Sequence, residues 1–213
     1  MTQPRMVIIA GPPGAGKSSI FSLSDFADNI FNADDRAAEL NAGSYQSIPS
    51  SVRAVVNREF ERFVHANIAA GTSFALETTL RSTITFEQAR LAKENGFQVF
   101  MRFVALGSVE QHIERVKRRA ARGGHSASET TLRRIHASSL ANLPMALNPE
   151  ESGIEVLRVY DNSLPESRPA LVLTARRGKI VWLRQTFPDW LRQALGWTER
   201  DLESRRRELV RNK

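Results

Sequence analysis

The 213-residue sequence has no cysteine. Disulfides and thiolate metal sites are therefore excluded, and a reducing compartment is the natural expectation. No apolar run approaches the length needed to cross a bilayer, and the N-terminus lacks the long apolar stretch of a secretory signal. These absences lead us to expect a cytoplasmic protein with no membrane partner. Internal repeats, low-complexity tracts and Pro/Ser linkers are also missing, so residues 1–213 are expected to form a single domain with length enough for a real core.

Charge is present in excess of one sign. Thirty Lys and Arg against 23 Asp and Glu leave a net charge of +7, which points to a polyanion without choosing between a nucleotide and a nucleic acid. The arginines are clustered in "ERVKRRAARGG" (114–124) and in the tail "ERDLESRRRELVRNK" (199–213). The tail reads as a solvated helix or a fraying end. The first cluster lies where a phosphate-transferring enzyme needs cations.

The N-terminal stretch "MVIIAGPPGAGKSS" (6–19) is an apolar run that breaks into a glycine-rich turn and ends on Lys-Ser. From Gly11 through Pro12, Pro13, Gly14, Ala15, Gly16, Lys17 and Ser18 it fits the Walker A pattern, with Ser19 next in the helix that follows. Glycines let successive N–H groups turn toward phosphate oxygens, and the following helix adds its positive end. Lys17 would reach the terminal phosphates, and the Ser18 hydroxyl would hold Mg²⁺. A bound nucleoside triphosphate is the expectation.

Downstream, strands and helices alternate. "NIFNADD" (29–35) is a short apolar segment ending in carboxylates. Val52, Val55, Val56, Phe60, Phe63, Val64 and Ile68 mark the apolar stripe of a helix that Gly71 stops. "TSFALETT" (72–79) reads as a buried strand, a helix over about 84–95 closes at Gly96, and "FQVFMRFVAL" (97–106) is the next strand. Capping-box patterns at Ser108/Gln111 and Ser126/Glu129 predict two helices, the first ended by Gly123–Gly124. The second carries Leu132, Ile135, Leu140 and Leu143 inward and stops at Pro144. "IEVLRVYDNS" (154–163) is a fifth strand, 170–183 a hairpin turning near Gly178, and a last helix runs from Pro188 to Gly196. The expected architecture is a P-loop kinase-like α/β three-layer sandwich with a five-stranded parallel core. It carries an arginine-rich lid (about 108–143) and a C-terminal hairpin with helices (about 168–213).

Ligands of such sheets bind beyond the carboxyl ends of the strands. The Gly11–Ser18 loop, Asp34 with Asp35, Glu77 and Asp161 would converge on that rim. The N-K-x-D and D-x-x-G strings of GTPases do not occur, nor does an apolar run into Asp-Glu as in motor ATPases. What is left is the layout of a small kinase, with Asp34 ending the second strand as proton acceptor. Arginines between strands four and five would neutralise charge on the transferring oxygens.

"GPPGAGKSS", "FNADDRAAEL", "ALETTLRS", "RVKRRAARGGHSASETTLRR", "SSLANLP" and "VYDNS" occur in that order, and over roughly residues 6 to 165 the chain resembles zeta-toxin-type kinases. The resemblance implies an ATP- and Mg²⁺-dependent kinase of the 3′-hydroxyl of UDP-N-acetylglucosamine, with a possible antitoxin partner. Carried across, Asp34 is the catalytic base and Glu77 the strand-three acid. The phosphate-contacting arginines fall near Arg119 and Arg134, with Arg115, Arg118, Arg122 and Arg133 as competitors.

Other residues have two readings. Asp35 is a helix N-cap with Arg36 as its partner, or a second base. Thr78, Thr79 and Arg81 bind substrate or start the next helix. His125 is ranked below the arginines, and Asn162 either contacts nucleotide or only forms a turn with Asp161. Trp182, Trp190 and Trp197 read as C-terminal packing. Three functions stay open: a zeta-like sugar-nucleotide kinase, a kinase of an antibiotic, nucleoside or polynucleotide 5′ end, or a nucleotide-dependent regulatory protein without phosphoryl transfer. A nucleic-acid partner is disfavoured against a small-molecule substrate.

Overall fold

The apolar run at residues 6–10 is buried on both sides because it becomes β1 (Arg5–Ala10), the middle strand of the parallel part of the sheet. The computed structural model describes residues 3–122, 127–164 and 168–211. Beside β1 lie β3 (Phe74–Thr78) and β4 (Gln98–Ala105), both parallel to it, with β2 (Asn29–Phe31) and β5 (Val156–Asp161) outside them. The five expected parallel strands are present. The C-terminal hairpin differs from expectation in joining the same sheet: β6 (Ala170–Arg176) runs antiparallel to β5, and β7 (Lys179–Leu183) to β6. The order is β2-β3-β1-β4-β5-β6-β7, seven strands instead of five. The hairpin turns at Arg177 and Gly178, with φ of 47° and 75°, the pair of positive angles that suits a tight hairpin.

Alternation along β1 divides the core. Met6, Ile8 and Ala10 face the larger cluster, which includes Val64 and Ile68 of α3 (Ser50–Ala70) and Phe86, Ala89 and Ala92 of α4 (Ile84–Glu94). Val7 and Ile9 face a smaller cluster with Leu23, Phe21 and Phe26. The cover on that second face is slight, because α1 (Lys17–Ile20) is one turn long and is followed only by a 3₁₀ turn at Leu23–Asp25. The predicted stops at Gly71 and Gly96 hold, with φ of 61° and 83°.

Between β4 and β5 lie α5 (Val109–Ala120) and α6 (Glu129–Asn142). Ser108 caps α5 as expected, accepting from the Gln111 N–H. The cap of α6 is Ser128, which accepts from the Thr131 N–H; Gly123, Gly124, His125 and Ser126 lie outside the described residues. A 3₁₀ turn containing Pro144 (Leu143–Leu147) and the short α7 (Pro149–Ser152) lead into β5.

The C-terminal segment needs a second correction. After α8 (Asp189–Ala194), the arginine-rich tail forms α9 (Glu199–Arg211), and this helix is docked instead of merely solvated. Leu202 is buried in the main cluster, and the Arg205 guanidinium lies 4.3 Å from the Trp197 ring centroid. Trp190 and Trp197 pack as expected, while Trp182 on β7 is 41 % exposed.

Gly153 ends α7 at φ 72°, and a Cβ there would stand 2.5 Å from the backbone of Ala89 and Arg90 in α4. Gly196 shares the left-handed conformation with open space around it. Gly196→Ala should cost about 1–2 kcal/mol for the backbone alone. Gly153→Ala should cost roughly 1–3 kcal/mol more, because packed backbone must move. Urea midpoints of the two variants would check the order; equal losses would contradict the packing of α7 against α4.

Candidate active site

At the carboxyl end of β1 the chain enters a loop wedged between two neighbours. A Cβ on Gly11 (φ +139°) would lie 2.0 Å from the Val104 carbonyl oxygen in β4, and one on Gly14 (φ +77°) 2.4 Å from the His112 carbonyl oxygen in α5. Both positions thus need glycine for conformation and for space. The Ala15 N–H closes the turn on the Pro12 carbonyl at 3.2 Å. Gly16 (φ 86°) starts α1, and Ser18 and Ser19 follow on its exposed side.

Lys17 is the buried charge of the site, at 6 % exposure. Its Nζ donates to the Gly11 carbonyl at 2.9 Å and the Pro12 carbonyl at 3.3 Å, and it lies 3.4 Å from Glu77 Oε1. Sheet register brings this acid there: Glu77 on β3 pairs with Ile9 on β1, two residues before the loop.

The acidic segment after β2 departs from expectation. The strand stops at Phe31, and Asp34 lies in the first turn of α2 (Ala33–Leu40) instead of ending the strand. The N-cap is Asn32, not Asp35: its side-chain oxygen accepts from the N–H groups of Asp34 at 3.0 Å and Asp35 at 3.4 Å. Arg36 is not the partner of Asp35, because it donates to Glu59 and Glu39. The Asp35 carboxylate accepts the Tyr45 hydroxyl at 2.9 Å. Two carboxylates in a first helical turn also suit the positive end of the helix dipole.

These parts enclose one open pocket of about 180 Å³, lined by Ser18, Asn32, Asp34, Asp35, Tyr45, Glu77 and Arg119. Four predicted residues thus meet: the Walker A serine, the proposed base, the strand-three acid and one lid arginine. Arg134, exposed on α6, does not line it. Of its competitors, Arg118 pairs with Glu114, and Arg133 with Glu110 and Glu129. Arg115 donates to the Asn162 carbonyl at 2.9 Å. The Thr78 hydroxyl oxygen accepts from the Leu80 N–H at 3.1 Å and lies 3.4 Å from the Thr85 hydroxyl, at a turn where Leu80 is fully buried with φ 54°. Thr79 and Arg81 lie in the same loop after β3 and do not line the pocket. The Asn162 side chain donates to the Ala15 carbonyl at 2.9 Å, so its connection to the loop runs through the backbone.

Sequence reasoning passed over three contributors: Asn32, Tyr45 and, most informative, His112. The Leu106 N–H donates to His112 Nε2 at 3.0 Å. That leaves Nδ1 to carry the proton and donate to the Pro13 carbonyl 2.9 Å away. One neutral imidazole therefore ties the end of β4 and helix α5 to the phosphate loop. Burial pushes its pKa from 6.5 down to about 3, against the hydrogen bond to Pro13, with nearby His136 adding to the drop. The available signal was periodic, since His112 lies on the buried stripe of Ile113 and Val116.

A family model described as zeta toxin matches residues 1–164. Among solved structures, the chain is similar to the PezAT toxin–antitoxin system of Streptococcus pneumoniae at TM-score 0.64 and 18 % identity, covering 98 % of this chain and 87 % of that one. It is similar to the AvrRxo1-ORF1:ORF2 complex with ATP at TM-score 0.63 and 15 % identity, over 84 % and 60 % of the two chains. A putative kinase from Chloroflexus aurantiacus gives 0.55 at 18 % identity, over 78 % and 92 %.

The His112 clamp has a pH signature. Its folded pKa is depressed, so its contribution is complete above the unfolded value of 6.5 and is lost as pH falls toward about 3. Urea unfolding between about pH 7.5 and 5 should show falling stability. His112→Gln should be less stable at the higher pH and show a shallower slope, the remainder belonging to His136, whose pKa burial also lowers. An unchanged slope in His112→Gln would contradict the buried neutral imidazole.

Proposed function

This chain belongs to the zeta-toxin family, and on that premise we propose that it is an ATP- and Mg²⁺-dependent kinase. Its acceptor is a hydroxyl of a small molecule, and the 3′-hydroxyl of UDP-N-acetylglucosamine is the one favoured by the motifs. The observation that carries the reading is a single pocket that brings Ser18, Asp34 and Arg119 together next to Lys17.

The residues present fit both cofactors. The tightly packed loop and the first turn of α1 leave the N–H groups of Gly14, Gly16, Lys17 and Ser18 for phosphate oxygens, the Ala15 N–H being taken by the Pro12 carbonyl. Ser18, Asp34 and Glu77 supply hard oxygen donors of the kind Mg²⁺ prefers. The structural similarity to a complex with ATP supports the nucleotide, and the similarity to a toxin–antitoxin system supports an antitoxin partner.

When bound, ATP supplies the phosphoryl group, and Mg²⁺ offsets charge on its oxygens. The protein's share is positioning and electrostatics. Lys17 exchanges two carbonyls and Glu77 for phosphate oxygens, so an ammonium already desolvated meets the developing charge. Asp34 accepts the proton of the attacking hydroxyl. Arg119, in the last turn of α5, balances negative charge above the pocket. Arg134 is the second phosphate arginine, brought in as α6 closes to exclude water.

Lys17→Ala should lower transfer by roughly 10²–10³. Asp34→Asn keeps size and hydrogen bonding but loses proton acceptance, and should lower turnover by roughly 10²–10⁴ with nucleotide binding retained. Asp35→Asn should be much milder, since its carboxylate already takes the Tyr45 hydroxyl. Steady-state turnover and nucleotide titrations would check all three. An essential Asp35 beside a dispensable Asp34 would remove the assigned base.

A further inference from the structure

The second face of the sheet carries an arrangement that the phosphate site does not use. Near the amino ends of β1, β4 and β5 lies a pocket of about 180 Å³, roughly 17 Å along β1 from the loop. Val7 and Phe100 lie along it, Phe26 forms a wall, and Arg5, Arg102 and Arg158 bring three cations against one acid, Asp25. It is open there because the one-turn α1 and the 3₁₀ turn leave that half of the face without a helix.

Arg102 and Arg158 are direct register partners on neighbouring parallel strands, so they project from the same face. Like charges placed opposite each other destabilise a sheet, and a half-buried guanidinium without a counter-charge adds desolvation. No ion pair among the described residues involves Arg5, Arg102 or Arg158. The Arg102 guanidinium instead lies 4.2 Å from the Phe26 ring centroid and 4.9 Å from that of Phe21. Burial lowers its pKa, partly offset by Tyr160, and Arg158 lowers it further. A cross-strand arginine pair in a concave, aromatic-walled site has the charge and the planar forks to bridge two oxygens of an oxyanion.

We propose that this pocket binds a small oxyanion carrying a planar apolar group, with the charge bridging Arg102 and Arg158 and the ring against Phe26 and Phe100. The proposal is independent of the kinase reading.

Calorimetric titration of phenyl phosphate into Lys17→Ala protein tests it with the phosphate loop weakened. One saturable site is expected, weakened at least tenfold by adding Arg158→Gln. Arg5→Gln, at the exposed start of β1, should weaken it less. Inorganic phosphate should bind more weakly than phenyl phosphate; equal binding would overturn the ring contact. Without ligand, Arg158→Gln should raise Tm, because the repulsion is relieved. No saturable site, a site indifferent to Arg158→Gln, or a lowered Tm would overturn the proposal.

Discussion

A buried ammonium at the carboxyl edge of the sheet is the constraint around which the rest is arranged. Lys17 has almost no water, and only two backbone carbonyls and Glu77 compensate its charge. Taking such a pair out of water costs several kcal/mol per ion before attraction repays it, so the arrangement is poor evidence for stability. Under the proposed function it is a charge held ready for a stronger anion. That requires β1 and β3 to be neighbours in the register that sets Glu77 beside Ile9, and it requires the loop to remain curled around Lys17.

The curl is held from outside. His112 grips Pro13, Asn162 grips Ala15, and Arg115 ties α5 to Asn162. The first half of α5 is therefore part of the phosphate loop's scaffold, while its last turn carries Arg119 out over the pocket. A lid hinged in this way would leave the loop undisturbed. Any closure would belong to the end of α5 and to α6, which meet through the buried side chains of Ile113, Val116 and Leu132 and the exposed pairs Arg133–Glu110 and Lys117–Glu129.

Much of this was legible in the sequence, for identifiable reasons. The phosphate loop and the parallel strands show because continuous apolar runs and glycines at forced angles leave local marks. Ser18, Asp34 and Glu77 could be gathered because residues at and just beyond the strand ends of a parallel sheet share one rim, whereas Arg119 came from the family resemblance. What stayed hidden depends on distant partners. Nothing local tells a hairpin to join the sheet at β5, and a single buried Leu202 among charges does not announce that α9 is docked. Asn32, Asp34 and Asp35 are all good caps by type, and only the end of β2 at Phe31 selects Asn32. The lid arginines were ambiguous because each one's availability depends on which carboxylates the fold places beside it.

Phosphoryl transfer to an alcohol at the Asp34 pocket beside Lys17 is the chemistry proposed, and following the γ-phosphate itself tests it most directly. Protein, Mg²⁺ and γ-labelled ATP would be incubated with UDP-N-acetylglucosamine beside a panel of nucleosides, aminoglycosides and oligonucleotides, and the products resolved by mass spectrometry. Label is expected on a hydroxyl of the acceptor, at the 3′ position of the amino sugar, with little free phosphate. Label recovered only as inorganic phosphate, or left on ATP whatever alcohol is supplied, would contradict the proposed transfer.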